Sequence, residues 1–190
     1  IQVYNDYPLT KIRDYISWVF FFIVWQLRGK FPELLNDPKI GDEARKLYDD
    51  ANRLLDRIIN EKLLSARGVF GIFPANSSGD DIEVYADESG KEIIARFYNL
   101  RNQEQKTDGS PNLCLADFVA PKSSGIRDYI GAFAVTAGLG IEELLKEYER
   151  NHDDYHGIMT KALADRLAEA FTELLHEKVR KEIWGYAPDE

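Results

Sequence analysis

The feature that most constrains this sequence is a central block of short β-type segments separated by polar turns. Between Arg67 and Gly138, runs rich in Val, Ile, Phe and Tyr alternate with clusters of Asn, Ser, Gly, Asp and Lys. The five runs are GVFGIF, DIEVYAD, EIIARFYNL, NLCLADFVAP and YIGAFAVTAG. Three connections are short enough for hairpins, and no connection is long enough for a helical crossover. We therefore predict about five strands in a mainly antiparallel sheet.

Helical periodicity flanks this block on both sides. From Gly41 to Leu64, apolar residues recur at steps of three and four, which predicts a long amphipathic helix. After Gly140 a second helix is predicted in IEELLKEYERN, and a third from about Asp153 to Lys181. The predicted apolar stripe of the third helix comprises Ile158, Ala162, Leu163, Leu167, Ala170, Phe171, Leu174 and Leu175. The architecture is therefore α+β, with helices packed on the sheet, and residues 1–190 are expected to form a single domain.

The N-terminal segment is predicted to hold a short helix and a buried element. Thr10 is the expected N-cap of the helix in KIRDYI. The apolar run Trp18–Trp25 has eight residues, whereas a membrane span needs about 20, so we expect a core segment. The sequence begins at Ile1 without a basic or signal-like start, so we expect no secretory signal and a longer parent protein. Cys114 has no cysteine with which to pair, which fits a cytoplasmic protein.

Charge and glycine patterns argue against several classes of function. The 33 acidic and 24 basic residues give a net charge of -9, and no basic stripe gathers Lys and Arg against phosphates. We expect no nucleic-acid partner and no membrane partner. Gly138-Leu139-Gly140 lacks the third glycine of a dinucleotide fingerprint, and no phosphate-binding P-loop occurs.

The segment His152-Asp153-Asp154-Tyr155-His156 is the one His-rich cluster. Two histidines four apart on a helix can face one metal ion, but Asp153 stands where the HExxH motif has its Glu, and no third ligand can be identified. The simpler interpretation is a helix N-terminus, at which Asp153 or Asp154 caps the helix and complements its dipole. We therefore expect no metal site here.

Glu169 lies in an otherwise apolar helical stretch, with Asp165 one turn earlier. Two carboxylates at this spacing repel each other unless a cation lies between them. One interpretation is a solvated face with Arg166 and Lys161 nearby. The other is an acidic face that receives a positively charged ligand.

Three long blocks of this sequence resemble the activation domain of cobalamin-dependent methionine synthases. They are GVFGIFPANSSGDDIEVY, CLADFVAPKSSGIRDYIGAFAVTAG and HDDYHGIMTKALADRLAEAFTELLHEKVRKEIWGYAP. The resemblance implies a C-shaped single domain with a twisted, mainly antiparallel sheet flanked by helices. It also implies a module of a methyltransferase that makes methionine from 5-methyltetrahydrofolate and homocysteine.

The resemblance further implies a role in repairing the enzyme's cofactor. In that family the cobalamin is occasionally oxidised to inert cob(II)alamin. A flavodoxin-like donor then supplies an electron and S-adenosylmethionine (AdoMet) supplies a methyl group. The activation domain presents AdoMet to cobalamin, which the cobalamin-binding domain of the same chain holds, and zinc is expected only on another domain.

Two site residues follow from the resemblance. Glu169, in LAEAF, matches the family's AdoMet-contacting glutamate, so its carboxylate is expected to hold a positively charged group of AdoMet. Tyr15-Ile16-Ser17-Trp18 matches the family's YIDW, so Ser17 occupies the position of the ligand-binding aspartate. A neutral hydroxyl is a poorer partner for an ammonium group than a carboxylate is. No residue is expected to be catalytic in this chain.

The family's Arg-x-x-x-Gly-Tyr signature is absent from residues 1–190. Gly185-Tyr186 does not qualify, because the residue four positions before Gly185 is Lys181. We expect the signature to lie beyond Glu190 in the parent protein, and these 190 residues to bind AdoMet weakly or not at all.

Three hypotheses of function remain. The first is an AdoMet-presenting module of a multidomain methyltransferase. The second is a free-standing accessory domain that docks on a separate corrinoid protein. The third is a small metal-dependent hydrolase built on His152 and His156.

Overall fold

The computed structural model describes residues 1–190 and contains five strands and five α-helices. The strands are β1 (Gln2–Tyr7), β2 (Ser65–Ser78), β3 (Asp81–Tyr85), β4 (Ile93–Phe97) and β5 (Asp128–Leu139). The helices are α1 (Leu9–Ile12), α2 (Trp18–Val24), α3 (Gly41–Asn60), α4 (Ile141–Arg150) and α5 (Asp154–Lys178). Short 3-10 turns and a π-turn at Val179–Ile183 complete the chain. None of the helices has the length and apolar content to cross a bilayer.

The strands form one five-stranded sheet with the order β1-β2-β3-β4, in which β5 also pairs with β2. β2 and β3 pair antiparallel in a tight hairpin that ends with Ser78 opposite Asp81. β3 and β4 pair antiparallel with Glu83 opposite Arg96. The predicted α+β class with a mainly antiparallel sheet is confirmed.

One predicted strand is absent, and one observed strand was not predicted. The segment NLCLADFVAP contains a 3-10 turn at Leu115–Phe118 and no strand. The physical cause is Asp117, whose carboxylate accepts hydrogen bonds from the Cys114 backbone N–H at 2.8 Å and from Arg101 Nη1 at 2.7 Å, and these bonds hold the turn. β1 was not predicted, because Asn5 and Asp6 are residue types that strands disfavour.

Two compact units divide the chain, and each has its own core. The first unit comprises residues 1–2 and 70–133, and the second comprises residues 3–69 and 134–190. β2 and β5 each contribute residues to both units. The assignment of residues 1–190 to a single domain stays a prediction.

The larger core belongs to the second unit and is built from the helices. The predicted helix α3 turns its apolar face inward, with Ala44, Leu55 and Ile58 fully buried. Helix α5 buries Leu163, Leu167, Phe171 and Leu175, as its stripe predicts. Ile158 does not belong to this stripe, since about half of it is exposed and the neighbouring Met159 is buried instead.

The N-terminal helices differ from the sequence-based expectation in two respects. Thr10 is not an N-cap: α1 begins at Leu9, Pro8 holds the cap position, and Thr10 lies exposed inside the helix. The apolar run Trp18–Trp25 is only partly a core segment. Phe21 and Phe22 are fully buried, whereas the opposite face of α2 exposes Phe20, Ile23 and Val24.

The smaller core belongs to the first unit and lies on β2 and β3. It contains Ala75, Ile82, Val84, Cys114, Ala116 and Val119. Cys114 is buried and free, as predicted.

Candidate functional site

Glu169 lies on the exposed face of α5. Its neighbours along the buried stripe, Leu167 and Ala170, face the core, so the helical period directs Glu169 outward. About 44% of its side chain is exposed. One carboxylate oxygen, Oε2, accepts a hydrogen bond from Arg166 Nη1, and the other oxygen, Oε1, has no protein donor. The carboxylate therefore keeps one open acceptor toward solvent.

Arg166 connects this face of α5 to helix α2. Its guanidinium carbon lies 5.5 Å from the centre of the Phe20 ring, within the range of a cation–π contact. Only 17% of the Arg166 side chain is exposed, and its Nε atom is buried without a hydrogen-bond partner. Of the two basic residues expected near Glu169, Arg166 and Lys161, Arg166 forms an ion pair with it. Phe20 was not predicted as part of it.

Ser17 holds the N-cap position of α2, one turn before Phe20. Its extended backbone starts the helix, and its hydroxyl makes no capping hydrogen bond. The segment alternates in burial: Ile16 is buried and Trp18 packs edge-on against Tyr48 at 4.7 Å, while Tyr15 and Ser17 are exposed. Ser17 is therefore free to meet a ligand. Both helices that carry the predicted site residues, α2 and α5, are in contact through Phe20 and Arg166.

Tyr15 ties the same segment to the C-terminal half of α5. Its hydroxyl donates to Glu177 Oε2, and Lys181 Nζ donates to the other oxygen of the same carboxylate at 2.5 Å. The hydrogen bond to Glu177 raises the pKa of Tyr15 to about 12, with burial as a smaller cause. The Glu177 pKa is lowered, chiefly by Lys181 and then by Tyr15. Tyr15 therefore stays a neutral donor at physiological pH.

A surface cavity of about 330 Å³ lies beside the hydrogen bond between Tyr15 and Glu177. Its lining includes Tyr15, Lys11 and Glu177, but neither Ser17 nor Glu169. Ser17 and Glu169 are therefore both exposed and lie outside this cavity.

The HDDYH segment is a helix N-terminus, as the capping interpretation predicts. The Asp153 side chain accepts from the His156 backbone N–H at 3.1 Å, and its second oxygen lies 2.7 Å from His156 Nδ1. These contacts lower the pKa of Asp153, the backbone hydrogen bond most strongly. His152 precedes the helix in a left-handed conformation, with φ of 53°. The two histidines therefore do not share a helix face, and no group of three or more His, Cys, Asp or Glu residues is placed to hold a metal ion.

The first unit carries a buried carboxylate with a structural role. Only 6% of the Glu83 side chain is exposed, and it accepts from Arg96 Nη2 at 2.6 Å and from Lys122 Nζ at 2.8 Å. The hydrogen bond from Lys122 is the largest cause that lowers the pKa of Glu83. Both cations are committed to this carboxylate, so the cluster stabilises the hairpin strands and offers no free charge to a ligand.

Comparison with known proteins agrees with the resemblance found in the sequence. Residues 8–190 match the family described as vitamin B12 dependent methionine synthase, activation domain. A crystal structure of the MetH reactivation domain bound to AdoHcy is 54% identical to this chain, with a TM-score of 0.94. The match covers 100% of this chain, which spans 58% of the length of that solved chain. Since the family match extends over nearly the whole sequence, this chain belongs to the activation domains of vitamin B12-dependent methionine synthases.

Proposed function

We propose that this chain holds AdoMet for the reductive remethylation of cobalamin, and that Glu169 receives a positively charged group of AdoMet. The observation that carries the proposal is the state of the Glu169 carboxylate. It is paired with Arg166 through Oε2, and its Oε1 atom has no protein donor. A solved relative of the same family is bound to AdoHcy, which differs from AdoMet by the transferable methyl group.

The chemistry of the ligand suits this face. AdoMet carries an α-ammonium group and a sulfonium centre, and a carboxylate is the natural partner for either cation. Ser17, at the start of α2, supplies a hydroxyl acceptor that is weaker than the carboxylate of the family motif. When bound, AdoMet supplies the methyl group of the reaction. The residues of this chain bind and orient the ligand, and none of them transfers a proton in this proposal.

The other participants belong to other domains or proteins. We propose that cobalamin is held by the cobalamin-binding domain of the same methyltransferase, that a flavodoxin-like protein supplies the electron, and that zinc serves a further domain. A cytoplasmic location is part of the same proposal. A free-standing domain that docks on a separate corrinoid protein is the alternative arrangement, and the length of the complete reading frame separates the two.

The test uses two rates of the methionine synthase that carries this domain. Primary turnover, from methylcobalamin to homocysteine, is measured apart from recovery of the cob(II)alamin form with reductant and AdoMet. We expect Glu169→Gln to slow recovery at limiting AdoMet by about 10- to 150-fold, the value of one charge-assisted hydrogen bond. Primary turnover is expected to stay at the wild-type rate, because it uses no AdoMet.

Glu173→Gln is the matched control for this test. Glu173 lies one turn further along α5, is exposed and makes no ion pair with the protein. Its substitution is expected to leave both rates unchanged. Wild-type recovery of Glu169→Gln at limiting AdoMet would refute the site assignment, and an equal loss of both rates would indicate a folding defect instead.

A further inference from the structure

We propose that Arg166 is a positioning residue for AdoMet binding, which fixes the Glu169 carboxylate beside α2 so that its open oxygen faces the ligand. This inference rests on the proposed function of Glu169. It adds a residue that acts through the carboxylate and makes no contact with AdoMet itself.

The geometry of the ion pair favours this role. Arg166 and Glu169 are three residues apart on α5, and the guanidinium binds only Oε2 of the carboxylate. An exposed glutamate without such a partner samples several rotamers, and a ligand must pay the entropy of ordering it. Arg166 orders one oxygen in advance and leaves Oε1 available.

Arg166 is itself held in place. Its guanidinium lies over the Phe20 ring, and its side chain is mostly buried between the helices. A long arginine side chain on an open surface is mobile, whereas one packed on an aromatic ring has far fewer conformations. The order that Arg166 imposes on Glu169 therefore derives from α2, the helix that Ser17 begins.

A second ion pair with the same spacing lies on α3 and differs from this one. Arg53 and Asp50 on α3 are also three residues apart and ion-paired, but 71% of the Arg53 side chain is exposed and no aromatic ring lies against its guanidinium. In the Arg53 pair the arginine is the exposed partner, whereas only 15% of the Asp50 side chain is exposed and its carboxylate also accepts from the Tyr155 hydroxyl at 2.8 Å. Burial of the arginine and its contact with a second helix distinguish the Arg166 pair.

The alternative role of Arg166 is that of a competitor. A guanidinium that neutralises Glu169 also weakens its attraction for a cationic ligand, so its removal would then raise AdoMet affinity. The positioning role predicts the opposite sign. The AdoMet concentration that half-saturates recovery of the Arg166→Met enzyme therefore distinguishes a positioning residue from a competitor.

The experiment is a double-mutant cycle in the methionine synthase that carries this domain. Arg166→Met keeps an unbranched apolar side chain against Phe20 and removes the guanidinium. We expect the AdoMet concentration that half-saturates recovery to rise about tenfold, while the recovery rate at saturating AdoMet stays within twofold of wild type. In the Glu169→Gln background, Arg166→Met is expected to add less than twofold, because its effect passes through Glu169.

Two further variants accompany the cycle, one as a conservative rescue and one as a control. Arg166→Lys keeps the charge but loses the planar group on the ring, and is expected to restore part of the affinity lost in Arg166→Met. Arg53→Met removes a comparable ion pair and is expected to change nothing in AdoMet dependence.

The outcomes assign failure to one proposal or the other. If Glu169→Gln leaves AdoMet dependence unchanged, the proposed site is wrong and the role of Arg166 fails with it. If Glu169→Gln weakens AdoMet binding while Arg166→Met has no effect on it or improves it, only the positioning role of Arg166 is overturned. The same holds if Arg166→Met has its full effect on AdoMet binding in the Glu169→Gln background. If Arg166→Met lowers the saturated rate as much as the affinity, Arg166 is structural and the inference is overturned.

Discussion

The buried carboxylate Glu83 gives the sharpest prediction of stability. It lies in the middle of the β2-β3-β4 ladder, directly opposite Arg96, and accepts hydrogen bonds from two cations and from the Tyr85 hydroxyl at 3.3 Å. Replacing it by Gln removes the negative charge while keeping the size of the side chain. Two cations are then left facing a neutral amide.

The size of the destabilisation by Glu83→Gln follows from the exposure of Arg96 and Lys122. Breaking a fully buried ion pair typically costs about 3–5 kcal/mol, because the remaining charge has no other solvation. Here 35% of the Arg96 side chain and 54% of the Lys122 side chain are exposed, so both can turn partly to water. We therefore expect Glu83→Gln to destabilise the strands by about 1.5–3 kcal/mol, the range of hydrogen bonds to charged groups.

The stabilisation of the folded state by Glu83 depends on pH in one direction. The folded-state pKa of Glu83 lies below its ordinary value, so the carboxylate stabilises the folded state above the unfolded-state pKa of about 4.3. This stability is lost as the pH falls through the folded-state pKa. The difference between wild type and Glu83→Gln should therefore be complete at pH 7 and should shrink progressively below about pH 4.

Hydrogen exchange of the β2 and β3 amides is the suitable assay. The three tryptophans, at positions 18, 25 and 184, all lie in the second compact unit, so their fluorescence does not report on these strands directly. The control is Glu92→Gln, since Glu92 is exposed and its side chain makes no ion pair. The stabilising role of Glu83 would be refuted if wild type and Glu83→Gln had the same free energy of unfolding at pH 7. It would also be refuted if their difference in free energy stayed constant down to pH 3.

Three further predictions concern the candidate site and the helix termini. Glu169→Gln should leave thermal stability nearly unchanged, within about 0.5 kcal/mol, because the Glu169 side chain is itself 44% exposed, the Gln carbonyl can still accept from Arg166, and repulsion from Asp165 is relieved; a melting point lowered by more than about 5 °C would make Glu169 structural. The purified protein should hold no stoichiometric zinc or iron by elemental analysis, because Asp153 caps α5 and engages His156; one metal per chain that His152→Ala abolishes would revive the hydrolase hypothesis. The 190-residue chain alone should bind AdoMet weakly in a calorimetric titration, because it contains no Arg-x-x-x-Gly-Tyr sequence; micromolar binding would show that the site is misplaced.

The helices and most of the sheet could be predicted because their signals are local. The apolar period of α3 and α5 and the alternation of strand and turn residues determine which faces are buried, whatever the partner. The prediction of Thr10 as an N-cap was wrong because the helix already begins at Leu9. Pro8 is compatible with the position before a helix, and Leu9 is buried in the core. The strand prediction for NLCLADFVAP was wrong because a tertiary contact, from Arg101 to Asp117, outweighs the strand-like composition of the segment.

The candidate site was predictable only in part. Arg166 and Glu169 are three residues apart on one helix, so their pairing follows from spacing. The contact between Arg166 and Phe20 depends on how α2 packs on α5, and nothing in the sequence around Phe20 signals it. The role of Ser17 and Glu169 toward a ligand came from family resemblance, since by residue type alone both belong to ordinary exposed positions.

In the proposed function, Glu169 receives a cationic group of AdoMet. The most direct test is an equilibrium titration of AdoMet into the methionine synthase that carries this domain, with wild-type and Glu169→Gln proteins and with Glu173→Gln as the control. We expect the dissociation constant to rise about 10- to 150-fold in Glu169→Gln and to stay at the wild-type value in Glu173→Gln. Dissociation constants within twofold for wild type and Glu169→Gln would contradict it.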